Sequence, residues 1–183
     1  MTEPRITLAP PHGNPGETQA LLDGLSRRGR PPLNLFLALA RHPALLHDYL
    51  PLGSRLLLGG TLPGRDRELV ILRTAWLCGC DYEWGQHARL AARAGLSADE
   101  IAAIPDPSAR RWTGHERALL AATGELLGEH TIGQATWNTL SETYDDAALV
   151  ELTMLVGHYA MLAGLLNAAK VPRDEGVAGF PDR

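Results

Sequence analysis

Two runs decide the reading: Arg65-Asp66-Arg67-Glu68-Leu69-Val70-Ile71-Leu72 and, six residues later, Cys78-Gly79-Cys80-Asp81-Tyr82-Glu83-Trp84-Gly85-Gln86-His87. The periodicity predicts a helix over 65–78 that Gly79 can terminate. A second helix follows over 81–94, with Asp81 placed to help begin it. Gly95 follows Arg89 and Arg93, as suits a helix end with cations near its negative pole. Further helical patterns cover 17–28, 33–41, 43–58 (with Pro51 as a kink or break), 97–104, 114–129, 133–143 and 146–169. Ser97 with Glu100 and Thr113 with Glu116 have capping-box spacing, in which side chains satisfy the free amides of a helix start. No stretch alternates in the way a strand requires, so the predicted class is all-α.

The flanks read differently. Pro10-Pro11, Gly13-Asn14-Pro15-Gly16 and the segment from Pro172 break helices. They predict an extended N-terminal arm over 1–16, a single domain over 17–171 and a tail over 172–183. The chain has 183 residues with 17 Lys+Arg, 21 Asp+Glu and a formal charge of −4, so nucleic acid is not the expected partner. Cys78 and Cys80 stand too close for a good structural disulfide, and the start lacks a basic segment followed by an apolar one. A cytoplasmic protein is expected. Residues 152–169 carry no Asp, Glu, Lys or Arg but include His158, Tyr159 and Asn167, which suits a buried helix better than a membrane span. Leu149, Leu152, Val156, Leu162, Leu165 and Leu166 put apolar groups around more than one face of that helix. Such a helix needs cover on all sides, and an obligate homo-oligomer is predicted on that ground.

The chemistry-bearing residues cluster in the quoted runs. On a helix beginning near residue 80, Cys80, Glu83 and His87 fall at i, i+3 and i+7, within a narrow arc at about 100° per residue. A thiol, a carboxylate and an imidazole would then project together, with Cys80 in a first turn whose dipole lowers its pKa. If the two helices pair about Gly79, Glu68 approaches the same cluster. Two carboxylates beside one imidazole titrate apart, which makes an acid–base centre with no metal and no organic cofactor. Spacing alone equally describes a solvated Glu–His pair and a buried structural cysteine.

Glu68, eleven residues, Cys80, two residues, Glu83, three residues and His87 resembles the signature of the carboxymuconolactone decarboxylase and alkylhydroperoxidase D superfamily. That signature reads Glu, eleven residues, Cys, two residues, Cys, three residues, His. Arg67-Glu68-Leu69-Val70-Ile71-Leu72-Arg73, Cys80 to His87 and Val156-Gly157-His158-Tyr159 are similar to its decarboxylase branch, and the likeness covers about residues 33–172. The resemblance implies an all-helical bundle assembling as dimers, trimers or hexamers, with the site near subunit contacts. It departs at one position: the second signature cysteine is Glu83, which can form neither a sulfenic acid nor a disulfide.

The expected function is therefore cofactor-free acid–base chemistry, decarboxylation or proton transfer, on a small lactone or carboxylic acid. His87 would be the principal acid or base, Glu83 would orient or polarise it, and Glu68 would relay or hold a proton. Cys80 would be a secondary hydrogen-bonding group and Trp84 an apolar wall. Two alternatives stand beside it: an alkylhydroperoxidase using Cys80 with an external thiol, and an oligomeric binding protein for small acids. A metal held by Cys80, Glu83 and His87 is disfavoured, because His158 is the only further ligand candidate and a lone histidine on an apolar helix is more often a hydrogen-bonded core residue. Arg73 and Arg89 are candidates to hold a substrate carboxylate, although salt bridges in solvent would explain both.

Overall fold

A computed structural model describes residues 3–26 and 29–181. It contains α1 (Gly16–Leu25), α2 (Asn34–Leu39), α3 (Pro43–Leu58), α4 (Gly64–Leu77), α5 (Asp81–Arg93), α6 (Ala98–Ala103), α7 (Gly114–Glu129), α8 (Gln134–Ser141) and α9 (Asp146–Ala169), with no strand among the described residues. The protein is all-α. Helix α1 stops at Leu25 rather than at 28, because Ser26 is already extended; residues 27 and 28 lie outside the described residues. Pro51 neither ends nor divides α3, which runs sixteen residues through it.

Helix α4 is the axis of the fold and packs against α5, α7 and α9. Every residue from Glu68 to Ala75 is buried, so the helix is enclosed on all sides. That enclosure is what places a charged residue, Glu68, in the interior. Gly79, at φ +61°, turns the chain between α4 and α5, and the Cys80 amide closes the turn on the Ala75 carbonyl at 2.8 Å. The positive φ favours glycine at that point. Both capping boxes are formed, Ser97 with Glu100 at α6 and Thr113 with Glu116 at α7. Arg65 reaches Glu100 and Glu116 and so ties the start of α4 to those two helix starts.

A single chain covers α9 on most of its faces but not on all. Leu149, Leu152, Val156, Leu162 and Leu166 enter the core, and Leu165 is half-buried, but Val150, Met154 and Met161 remain 63%, 50% and 58% exposed. Periodicity that is apolar all round does not say which stripe faces out. Helix α9 is long and apolar enough by length and composition to cross a membrane, yet half of it is buried against the rest of the chain.

Neither terminal segment stands free. Ala9 is buried and its amide bonds the Leu37 carbonyl. In the tail, Asp174 accepts hydrogen bonds from the Asn34 amide, Gln86 and the Tyr82 hydroxyl, and Asp81 accepts from the Phe180 amide. Val177 and Ala178 press on Gly85 so closely that a Cβ there would lie 2.2 Å from the Ala178 carbonyl oxygen. Both segments are irregular, as their Pro and Gly content requires, but hydrogen bonds and aromatic contacts pack them onto the helices.

Candidate active site

Three acid–base side chains meet in the interior between α4 and α5. His87 Nδ1 lies 2.8 Å from Glu68 Oε2, and His87 Nε2 lies 3.5 Å from Glu83 Oε2. Glu68, Glu83 and His87 are 0%, 3% and 5% exposed, so none of these groups is shared with bulk water. The one-turn spacing from 83 to 87 puts both on one face of α5. The turn at Gly79 then lays α4 alongside and brings Glu68 to the other edge of the imidazole.

The two carboxylates are not equivalent. Glu68 Oε1 accepts from Arg67 Nε and Nη2, both at 3.2 Å, while its Oε2 accepts from His87 Nδ1. Glu68 is thus anchored at both oxygens, and as acceptor it selects the Nδ1–H form of His87. Glu83 has no cation of its own besides the imidazole, and its Oε1 is buried without a hydrogen-bond partner. Burial raises its pKa above the ordinary carboxylate range, opposed by the neighbouring His87. The geometry therefore sets a carboxyl whose charge burial disfavours and a carboxyl anchored by Arg67 at the two edges of a single imidazole.

Tyr159 of α9 completes the enclosure. Its ring meets His87 edge-on at 4.9 Å, and burial followed by the Glu83 charge holds its hydroxyl well above the usual range. Tyr159 also meets His158, which lies flat against Tyr49 of α3 at 5.3 Å and 14°. His158 is buried as expected, yet its Nδ1 has no partner, which departs from the expectation of a satisfied core histidine. Tyr159 and His158 stand in the motif Val156-Gly157-His158-Tyr159, a usable signal; for Tyr49 the sequence offered none.

Other expected residues fall elsewhere. Cys80 is the N-cap of α5, in extended backbone at φ −94°, so it does not share the helical arc of Glu83 and His87. Its thiol is fully buried, and burial pushes its pKa up to about 12 against the pull of the amides of Glu83 and Tyr82. The predicted lowering by the helix dipole is thus overturned, because desolvation of the thiolate outweighs the dipole. Trp84 packs with Trp76 at 5.7 Å and Phe180 at 5.4 Å, in an aromatic cluster beneath the tail. Arg73 donates to the carbonyls of Ile104 and Pro105 at the end of α6, and Arg89 is exposed. The cation at the site is Arg67. No three His, Cys, Asp or Glu groups among the described residues are arranged to hold a metal ion. A cavity of about 400 Å³ between α1 and α3, lined by Thr18, Leu21, Pro43, His47 and Asp48, lies apart from this cluster. Its His47–Asp48 pair is exposed and is no competitor for acid–base chemistry.

Comparison with known proteins bears on the family and the fold. Residues 43–125 match the sequence model of the Carboxymuconolactone decarboxylase family, a span that includes Glu68, Cys80, Glu83 and His87. That match spans somewhat less than half of the chain, and the solved structures that the chain resembles have AhpD-like helical folds. No curated protein sequence matches it. Among solved structures it is similar to an uncharacterized peroxidase-related protein from Silicibacter sp. TM1040, with TM-score 0.81, 17% identity and 97% of each chain covered. It is similar also to an uncharacterized peroxidase-related protein with an alkylhydroperoxidase AhpD core from Ralstonia eutropha JMP134, with TM-score 0.78, 18% identity and 94% and 93% covered. A third is the debrominase Bmp8, as a cysteine-to-alanine variant in complex with 2,3,4-tribromopyrrole, with TM-score 0.74, 15% identity and 94% and 95% covered. At these identities the likeness is one of fold.

Proposed function

We propose that the protein is a cytoplasmic, cofactor-free acid–base enzyme acting on a small lactone or carboxylic acid, by decarboxylation or proton transfer at carbon. The observation that carries this reading is a buried imidazole with a carboxylate at each ring nitrogen, one anchored by Arg67 and the other driven by burial toward its protonated form. Glu68 fixes the His87 tautomer, and His87 Nε2 exchanges a proton with Glu83 or with substrate carbon. In decarboxylation the bond from the ring carbon to the carboxylate breaks and carbon dioxide leaves. The electron pair enters the conjugated lactone carbonyl, and a proton from the His87–Glu83 pair quenches the carbanion.

A thiol reading is suggested by the peroxidase-related and debrominase names of the fold neighbours. Against it stand the absence of a cysteine at position 83 and a Cys80 thiol whose pKa of about 12 leaves little thiolate near neutral pH. The test is a panel of small unsaturated lactone acids incubated in D2O, followed by NMR for deuterium at carbon and for released bicarbonate. Turnover should require His87 and Glu83 and should persist in Cys80→Ser. Hydroperoxide consumption that needs Cys80 and a dithiol, with no turnover of the acids, would replace this reading with the peroxidase. Tight binding of the acids without turnover would replace it with a binding protein.

A further inference from the structure

Two buried polar atoms around the aromatic side of the cluster lack partners: Glu83 Oε1 and His158 Nδ1. Both side chains are more than nine-tenths buried. Tyr159 stands between them, since its ring touches both His87 and His158. Tyr49 of α3 stacks on His158. Buried polar atoms are nearly always paired, and those that are not concentrate where a ligand supplies the missing bond. Here one such atom belongs to the acid–base pair, and the other to a histidine joined to that pair through the Tyr159 ring.

We propose that His158 is a substrate-contacting residue, its Nδ1–H donating to the ring carbonyl oxygen of a flat, unsaturated lactone or cyclic enone on which Glu83 and His87 act. This inference rests on the acid–base reading above and names the part of the substrate that the site grips. His158 is held rigidly, flat on Tyr49 and edge-on to Tyr159, so its donor is oriented before a ligand arrives. Burial lowers its pKa, which keeps the imidazole neutral. A neutral imidazole N–H is a suitable electrophile toward a developing enolate, because it strengthens its bond without giving up its proton. When a carbon–hydrogen or carbon–carboxylate bond breaks, the electron pair moves into the ring and the charge arrives on the carbonyl oxygen. The proton or carbon dioxide leaves at the Glu83–His87 end.

The local charge also argues for a neutral group at this end. Arg67 is committed to Glu68, Glu83 is pushed toward its uncharged form, and His158 is neutral. A carboxylate beside His158 would be buried without a cation, at high cost. A lactone carbonyl fits; a second carboxylate does not.

The experiment titrates furan-2(5H)-one, an uncharged unsaturated lactone, into protein labelled with 15N-histidine. The His158 Nδ1 resonance, assigned by its loss in His158→Leu, should move on binding in the wild-type chain. His158→Leu should weaken binding about tenfold, about 1.4 kcal/mol. His158→Asn, whose amide nitrogen sits near the Nδ1 position, should recover most of the loss. Because Nδ1 is unpaired in the free protein, His158→Leu should leave the melting temperature unchanged or higher, which separates a ligand-binding histidine from a structural one. Failure of the lactone to bind, binding that leaves the His158 resonance unmoved, or equal affinity in His158→Leu would each overturn the proposal. Turnover of lactone acids at unchanged kcat and KM in His158→Leu would overturn it too, while leaving the acid–base reading in place. Binding through His158 with no acid turned over would uphold the subsite and remove the reaction.

Discussion

Replacing Glu83 by glutamine is expected to stabilise the fold and disable the site together. Glu83 is enclosed, its Oε1 is unpaired, and its nearest charge is an imidazole 3.5 Å away. Burial therefore raises its folded pKa above the unfolded one, taken at the ordinary value of 4.5. A carboxyl shifted in that direction adds stability that is fully present below the unfolded pKa and is lost as pH rises through the folded value. Each tenfold weakening of the acid costs about 1.4 kcal/mol once the group ionises. The amide of the Glu83→Gln variant keeps the shape of the side chain and never ionises, so the variant escapes that cost.

The two proteins should melt together near pH 4, and Glu83→Gln should melt progressively higher as pH rises above the ordinary carboxylate value of 4.5, where a raised carboxyl pKa makes ionisation costly. For a chain of this size each 1 kcal/mol corresponds to about 2–4 °C. Differential scanning calorimetry across that range measures the difference directly. Turnover on the acids should fall by about 10²–10⁴, the ordinary weight of a general acid or base. A variant that melts lower than wild type at neutral pH, or a difference flat with pH, would refute the reasoning. Glu83 would then be an ionised partner of a charged His87, and the proposed proton inventory would be wrong.

Cys80→Ser should retain turnover within a few-fold, and iodoacetamide should modify Cys78 well before Cys80 in the native protein, read by peptide mass spectrometry; rapid alkylation of Cys80 would contradict its burial. Gly85→Ala should destabilise the chain by about 1–3 kcal/mol, because the added methyl displaces the tail segment at Val177 and Ala178; accelerated proteolysis of the tail would show it, and an unchanged melt would count against the packed arrangement. The exposed stripe of α9 is expected to be covered by a second copy of the chain. Light scattering should give a multiple of the chain mass, reduced when Met154 and Met161 are both replaced by lysine; a monomer at micromolar concentration would remove the oligomer.

The helical class and nearly every helix boundary were legible because their signals are local: capping boxes at Ser97 and Thr113, a turn glycine at 79, and a one-turn spacing from Glu83 to His87. The pairing of Glu68 with His87 was also accessible, since a tight turn between two adjacent helices leaves few other ways to lay one on the other. What resisted reading depends on burial. The acidity of Cys80 turned on one residue of register: as N-cap rather than first-turn residue it points into the core, where desolvation overrides the dipole. The terminal segments looked free because proline and glycine report only the lack of a helix, not the lack of contacts such as those of Asp174.

Helix α9 shows the same distinction at its most useful. A sequence apolar on every side cannot say which stripe meets the core, so the motif Val156-Gly157-His158-Tyr159 marked residues 158 and 159 without placing them against Tyr49 and His87. Composition alone made His158 an anomaly to be absorbed as a satisfied core group. Its partnerless Nδ1 instead makes it a cost that folding alone does not require, since a leucine would fill the space without it. A rigid, neutral donor joined through Tyr159 to the Glu83–His87 pair is what the proposed carbonyl contact requires.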